Sequence, residues 1–579
     1  ESPPLPQSPR ARALRSATMQ SSGPPLAKSD TPAAQALAEE GRKEPDESTA
    51  LLKGETRGTC LPSFLVCNFT ANLERYFGWR LLFMLWVSQH LMKGFTLSLL
   101  QKAMPYFFRH YKVAAPQVQI FTGVVTLPWA MKPIVGLTSD VCPIFGYHKA
   151  PYIILASLCS SFAFGVLSFW TAASISVGVV CLVLVHLQLS TADLLTEARY
   201  AVQMQKAPEA GPDLMTYVWA GINMASLVAT LLSGPLIHEY GWRAAFFCTA
   251  IPAVFVLVPI ALGCLEEIPA SREELTKIRQ HYFEHRETCF LCLIMLFSTF
   301  TIMIVGLVQH DPRINFAVSL ATALFMLLCF SLCLTPVIAK ANAFAVLYTG
   351  LSASISGAAF YFYTDTPEMY PAGPHFSDVF FNTILGTVGV VFSLLGMFLY
   401  QRYLGGLQYR MLIRITAMIM FCFSMLDVMM FARVNVRFGI PDHWLVLGLS
   451  ICEQMVYQWQ WMPQVLLTAN LCPRGMEATM FALLAGCHNL GMTVSSNFGA
   501  ALLHVLDVKP RGAVGEAAQF DNLWIAAAIS SVLPLVTALC LSHLLPDCRQ
   551  NEKIDAVADP TQGSVLRRWL SQRSDARVL

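Results

Sequence analysis

The chain has 579 residues, of which 55% are hydrophobic and 13% charged, and its mean hydropathy is +0.51. Soluble domains carry about a quarter charged residues, so this composition belongs in lipid and excludes an ordinary water-soluble fold. The formal net charge of +2 is too small to suit a nucleic-acid partner. The 17 cysteines are scattered. Cys289-x-x-Cys292 and Cys329-x-x-x-Cys333 lie inside apolar runs without the further ligands a zinc site needs. No metal and no cofactor is expected.

In chain order, residues 1–58 combine Pro, Ala, Ser and charge without an apolar h-region, which predicts a disordered cytosolic tail. A bilayer core of about 30 Å needs roughly 20 apolar helical residues. Segments that meet this length are 79–107, 117–138, 150–172, 175–198, 214–238, 243–264, 289–309, 314–338, 342–363, 377–400, 410–432, 443–468, 477–504 and 523–545. The charged stretch Leu265–Glu287 reads as a solvated connector after the sixth of these. The loop order Gly136…Asp140…Gly146-Tyr147-His148-Lys149 is echoed by Gly396…Arg402…Gly405-Gly406…Tyr409-Arg410. Such echoes predict an all-α integral membrane protein with two six-helix halves, 79–264 and 342–545. The connector and two inserted helices (265–341) lie between them, and a cytosolic tail (546–579) follows; a twelve-helix count is the alternative. Parallel repeats of this kind are the architecture of the major facilitator fold. Lys and Arg favour the loops on the tail side, which predicts cytosolic termini for a multi-pass protein of the plasma membrane.

Ionisable groups inside a span cost at least about 2.5–3.5 kcal/mol at the helix centre, so they usually face a cavity or a partner. Lys93 falls near mid-bilayer in the first span, with Gln89 one turn before it. Glu453 is equally deep in the twelfth span, followed by Gln454, Tyr457 and Trp459. His488 and Asn489 lie deep in the thirteenth span and Asn223 in the fifth. These are the candidate substrate-binding residues. Lys93 and Glu453 read either as substrate or proton contacts or as an ion pair between the halves. Asp193 and Glu197 share one face of the fourth span, with Arg199 beyond them, and suit a gate network or proton coupling. Lys132 sits between Trp129 and Pro133, where it can snorkel, pair with Asp193 or Glu197, or touch substrate. Pro133 cannot donate to the Trp129 carbonyl, which predicts a kink. Asp427 and Asp365, near span ends, are expected to snorkel to water.

Three stretches carry a resemblance. PWAMKPIVGLTSDVCPIFGYHKAPY (128–152), STADLLTEAR (190–199) and LCPRGMEATMFALLAGCHNLGMTVSSNFGAALL (471–503) together resemble the folate–biopterin transporter family of the major facilitator superfamily. The resemblance covers roughly residues 79–545. It implies import of folates or unconjugated pterins across the lipid bilayer, by alternating access; the buried charges of both signs make protons the expected coupling ion. It also implies that Gly136 allows close packing and that Asp140 latches the inward gate. Lys149, Arg474 and Glu477 are further expected gate residues. Where the family tends to carry a basic run after Gly-Tyr, this chain has His148-Lys149-Ala150. An S-adenosylmethionine or other organic-ion carrier, and a non-transporting nutrient sensor, remain alternatives. An enzyme is not expected: Trp242 breaks the H-E-x-x-H pattern begun by His238-Glu239, and neither a P-loop nor a Gly-x-Ser-x-Gly elbow occurs.

Overall fold

A computed structural model describes residues 62–472, 477–552, 560–561 and 563–569. The predicted N-terminal tail lies outside them. Residues 1–68 and 69–579 are separate units; the described part of the first is the opening of helix α1.

Helix α1 (Pro62–Leu85) leads through a π-helical stretch, Trp86–Thr96, into α2 (Leu97–His110). The second crossing joins α3 (Ala115–Thr126), a 3-10 turn at Leu127–Trp129 and α4 (Lys132–Val141). Next come α5 (Ala150–Phe169), α6 (Ile175–Lys206) and α7 (Gly211–Phe255), whose two crossings part at Gly241, where φ is 78°. After α8 (Leu257–Ala261) comes the connector helix α9 (Arg272–Glu284) and the inserted pair, α10 (Arg286–Val308) and α11 (Pro312–Cys333). The second half begins with α12 (Pro336–Gly350) and α13 (Ser356–Thr364). A π-helical turn at Val379–Ile384 opens α14 (Leu385–Leu399). It continues with α15 (Tyr409–Phe431), short α16 (Val434–Arg437), α17 (Asp442–Asn470), α18 (Glu477–Val505) and α19 (Leu523–Leu541).

Every predicted crossing is helical, and nine helical stretches among the described residues are long and apolar enough to span a membrane. The rest are interrupted or polar. In the ninth crossing, predicted as continuous, residues 351–355 unwind between α12 and α13. Freed backbone groups cannot be left bare in lipid. Here the Ser495 hydroxyl and carbonyl accept from the Ser354 N–H (3.2 and 3.1 Å), Ser530 donates to the Ser352 carbonyl (2.8 Å), and Gln119 donates to the Ser354 carbonyl.

The halves meet where α3 and α4 run along α18. Small residues permit the approach: a Cβ on Gly499 would stand 1.7 Å from the Ser354 carbonyl oxygen, and one on Gly486 would stand 3.0 Å from that of Ala130. The inserted pair packs on this same seam, α10 against α3 and α4, and α11 against α18. The connector differs from its expected solvated state on one side. No residue of α9 is buried, yet Tyr282 donates to Asp140 (2.7 Å) and Arg279 to the Val141 carbonyl (3.2 Å), tying it to the end of α4.

Interhalf bonds concentrate at the end carrying loops 111–114, 365–378 and 506–522, termed the far end. Arg109 bridges to Asp365 at 2.7 Å, Asn382 donates to Tyr106 (2.7 Å), Tyr361 to the Val113 carbonyl (2.8 Å), and the Ala115 N–H to the Pro510 carbonyl (2.8 Å). Asp365, expected to reach water, is instead 1% exposed. Its place between Arg109 and the start of a loop anchored by His375 (2.7 Å to its carbonyl) explains the burial.

Candidate functional site: a charge cluster at the hub of the bundle

Four ionisable side chains meet in the first half. The π-helical stretch carries Lys93, whose ammonium lies 2.9 Å from Asp193 Oδ1 and 3.4 Å from Glu197 Oε1. Lys132, the first residue of α4, reaches Asp193 Oδ2 at 2.5 Å and Glu197 Oε2 at 3.8 Å. One helical turn separates the two carboxylates on α6, so both face the same pair of lysines. Asp193 is 1% exposed and Glu197 more open. The two positive and two negative charges balance, which is how buried charge becomes tolerable. Each ammonium also faces an indole: Lys93 lies 5.4 Å from the Trp219 ring and Lys132 4.9 Å from that of Trp129.

Close backbone approach holds the π-helical stretch in place. A Cβ on Gly94 would stand 2.7 Å from the Ile222 carbonyl oxygen, and one on Gly221 only 2.0 Å from the His90 ring. His90 bonds the Tyr217 carbonyl (3.1 Å). Gln89, predicted to bind substrate, is fully buried and donates to Thr196 (3.0 Å). It therefore fastens this stretch to α6 and does not face an open cavity. Asn223 donates to the Trp219 carbonyl in its own helix (2.8 Å).

The predicted kink at Pro133 has a specific outcome. The Trp129 carbonyl that Pro133 cannot serve accepts from Asn489 of α18 at 3.2 Å, across the halves. Of the other gate residues, Asp140 accepts from Tyr282, while Arg199 pairs with Glu266 (3.1 Å), not with Asp193 or Glu197. Glu267 accepts from the backbone N–H groups of His148, Lys149 and Ala150 and so caps the start of α5. The expected need for glycine at 136 does not hold: an added Cβ would meet only Leu194 Cδ2, at an ordinary 3.6 Å. Arg474 and the side chain of Glu477 lie outside the described residues.

The second half departs further from expectation. Glu453 does not meet Lys93; it lies within hydrogen-bond reach of Asp427 on α15, with Tyr363 nearby. Two carboxyl groups brought together can share a proton. Trp459 donates to the Gly396 carbonyl (3.0 Å), and Gln454 lies against Gly389, so both face α14. Tyr457 is half exposed. His488 bonds Thr349 (3.2 Å) beside the Trp461 ring. Sequence reasoning missed Trp219 and the role of Thr196, and it expected Asp427 to snorkel to water, whereas Asp427 turns inward to Glu453.

A profile of the BT1 family matches residues 93–563. The chain belongs to the BT1 family. Among its BT1-type relatives, "Probable folate-biopterin transporter 2" of Arabidopsis thaliana is 27% identical over 460 residues, covering 79% of this chain and 81% of that protein. "Folate-biopterin transporter" of Synechocystis sp. is 26% identical over 503 residues, 84% and 87% of the two chains. "Folate transporter 2" of Plasmodium falciparum is 24% identical over 456 residues, 78% and 85%. Among solved structures, a D-xylose-proton symporter superposes with a TM-score of 0.53 at 12% identity, covering 82% of this chain and 99% of that one. A peptide transporter POT bound to sulfate gives 0.55 at 13%, covering 87% and 100%. These likenesses establish that this BT1 chain has the major facilitator transporter fold.

Proposed function

We propose that this protein imports folates or unconjugated pteridines across a membrane by alternating access, coupled to protons. The observation that carries the reading is the balanced Lys93–Lys132–Asp193–Glu197 cluster inside a transporter fold whose relatives are named for these substrates. A pterin ring is flat and rich in N–H donors on one edge. Glu197, the more open carboxylate, can accept from that edge, while Trp129 and Trp219 offer stacking faces. A donor arriving at Glu197 competes with both lysines, so binding loosens the α6 contacts to the π-helical stretch and to α4 together. That makes the cluster both recognition site and latch. The Asp427–Glu453 unit supplies a proton site in the other half, which supports the coupling. The Lys and Arg bias of the loops supports cytosolic termini, and the plasma membrane is the membrane proposed.

Uptake of labelled folate, biopterin and S-adenosylmethionine into transport-null cells, at acidic and neutral external pH, tests this. Saturable, acid-stimulated uptake of folate or biopterin is expected. Saturable S-adenosylmethionine uptake without competition by folate would overturn it.

A further inference from the structure

Lys102 is a cation deep in the first crossing that the charge cluster does not absorb. It stands nine residues beyond Lys93 on the way to the far end, about 13 Å along the helix. Ser98, one turn before it, bonds Ser226 at 2.8 Å and seats this face of α2 against α7. The half-buried Lys102 side chain ends against Gly386 at the start of α14. A Cβ there would stand 3.1 Å from Lys102 Nζ and 2.5 Å from Thr230 Cγ2. The ammonium thus occupies the junction of α2 and α7 from one half with α14 from the other, in space that glycine leaves open. Among the described residues it has neither a carboxylate within ion-pair distance nor a hydrogen-bond acceptor. Its end lies against Gly386 rather than at the helix terminus, so snorkelling does not supply a partner.

An unpaired ammonium at this depth is costly and is characteristically retained for a ligand. The cluster around Asp193 is already neutral, so Lys102 adds an unbalanced positive charge about 13 Å along the helix from it. That arrangement suits an elongated ligand with an aromatic head and an anionic tail. Resting on the substrate reading above, we propose that Lys102 binds the tail carboxylate of conjugated folates and thereby distinguishes them from unconjugated pteridines, which carry none. Lysine acts there as a point charge rather than a bidentate fork, which suits a tail free to rotate.

The test is Lys102→Met, compared with wild type in transport-null cells. Folate uptake should fall about tenfold or more while biopterin uptake stays within about twofold. Equal loss of both, or loss of neither, overturns the assignment. If wild type moves neither compound, the substrate reading fails instead. The assignment is then decided on purified full-length protein by thermal stabilisation with p-aminobenzoylglutamate, the tail without the pterin. Stabilisation of wild type but not of Lys102→Met upholds it; equal stabilisation, or none, overturns it. Lys102→Met should itself melt no lower than wild type, since it removes a charge without a partner.

Discussion

Asp193 serves two ammonium groups, and its loss should be felt more than that of either lysine. Asp193→Asn leaves Lys93 and Lys132 facing each other with only Glu197 between them, a change expected to cost about 3–5 kcal/mol. Lys132→Met, which leaves Lys93 on Asp193, should cost less, and the double variant should recover part of the loss. A double-mutant cycle of detergent melting temperatures measures this; strict additivity would contradict the cluster. The Lys132–Asp193 contact was legible because both residues stand in long polar motifs of one half. The pairing of Glu453 was not. Depth along a helix follows from residue count, but the direction a side chain faces depends on how α17 is turned, and α17 turns Glu453 toward α15. A second residue-scale expectation concerns Asp365, which lies beyond α13 in the far-end loop. Burial pushes its carboxyl up to about 6 despite the pull of Arg109, and Glu516 adds to the rise. His375 and Tyr361 complete the titratable groups around it. In a far-end-open state the carboxyl would return to water and its ordinary value of 3.8. The closed state therefore binds the proton more tightly, and closure is favoured as pH falls from about 6 toward about 4 and weakened as pH rises through that window. Labelling of a Ser356→Cys variant by an impermeant thiol reagent, divided at each pH by the rate of the same variant carrying Asp365→Asn so that the thiol's own titration cancels, should slow on acidification. A rise of this ratio in acid would contradict it.

At the scale of elements, the helical character and order of the apolar runs were readable from their length, whereas the interruptions were not. The π-helical stretch at Trp86–Thr96 is apolar enough to read as ordinary helix; its geometry comes from Gly94 and Gly221 letting α7 approach. The unwinding at 351–355 does have a local signal, the run Gly-Leu-Ser-Ala-Ser-Ile-Ser-Gly (350–357). Its partners Gln119, Ser495 and Ser530 are distant in sequence, so the break cannot be justified without them. Gly499 is where this segment meets α18. Gly499→Ala should lower the melting temperature by several degrees or prevent accumulation in the membrane, because the obstacle is a backbone carbonyl. Gly448→Ala in α17, with open space around it, should be neutral and serves as the matched control. Equal melting of the two variants would refute the close approach.

For the whole molecule, the bonds that hold the halves together among the described residues lie mostly at the far end, while the links deeper in the bundle, among them Gln119–Ser354, Asn489–Trp129 and Thr493–Gly123, are neutral. A neutral hydrogen bond contributes about 0.5–1.5 kcal/mol net, so motion about this waist should be resisted chiefly at the far end. A cysteine pair at Ala115 and Pro510, adjacent through their backbone bond, should stop transport when oxidised and recover it on reduction. Transport unaffected by quantitative crosslinking would show that the far end need not open.

Pro133 has an effect outside its own helix. A backbone carbonyl at mid-depth ordinarily has its own helix's N–H as first claimant, and a side chain from another helix competes at a disadvantage. By withholding that N–H, proline ends the competition and leaves Trp129 to Asn489. Pro133→Ala would restore the rival donor: α3 and α4 should straighten into one helix and Asn489 should lose its partner, although no side chain at the interface has changed. The halves are thus joined at their waist by a contact whose specificity is written in a missing proton.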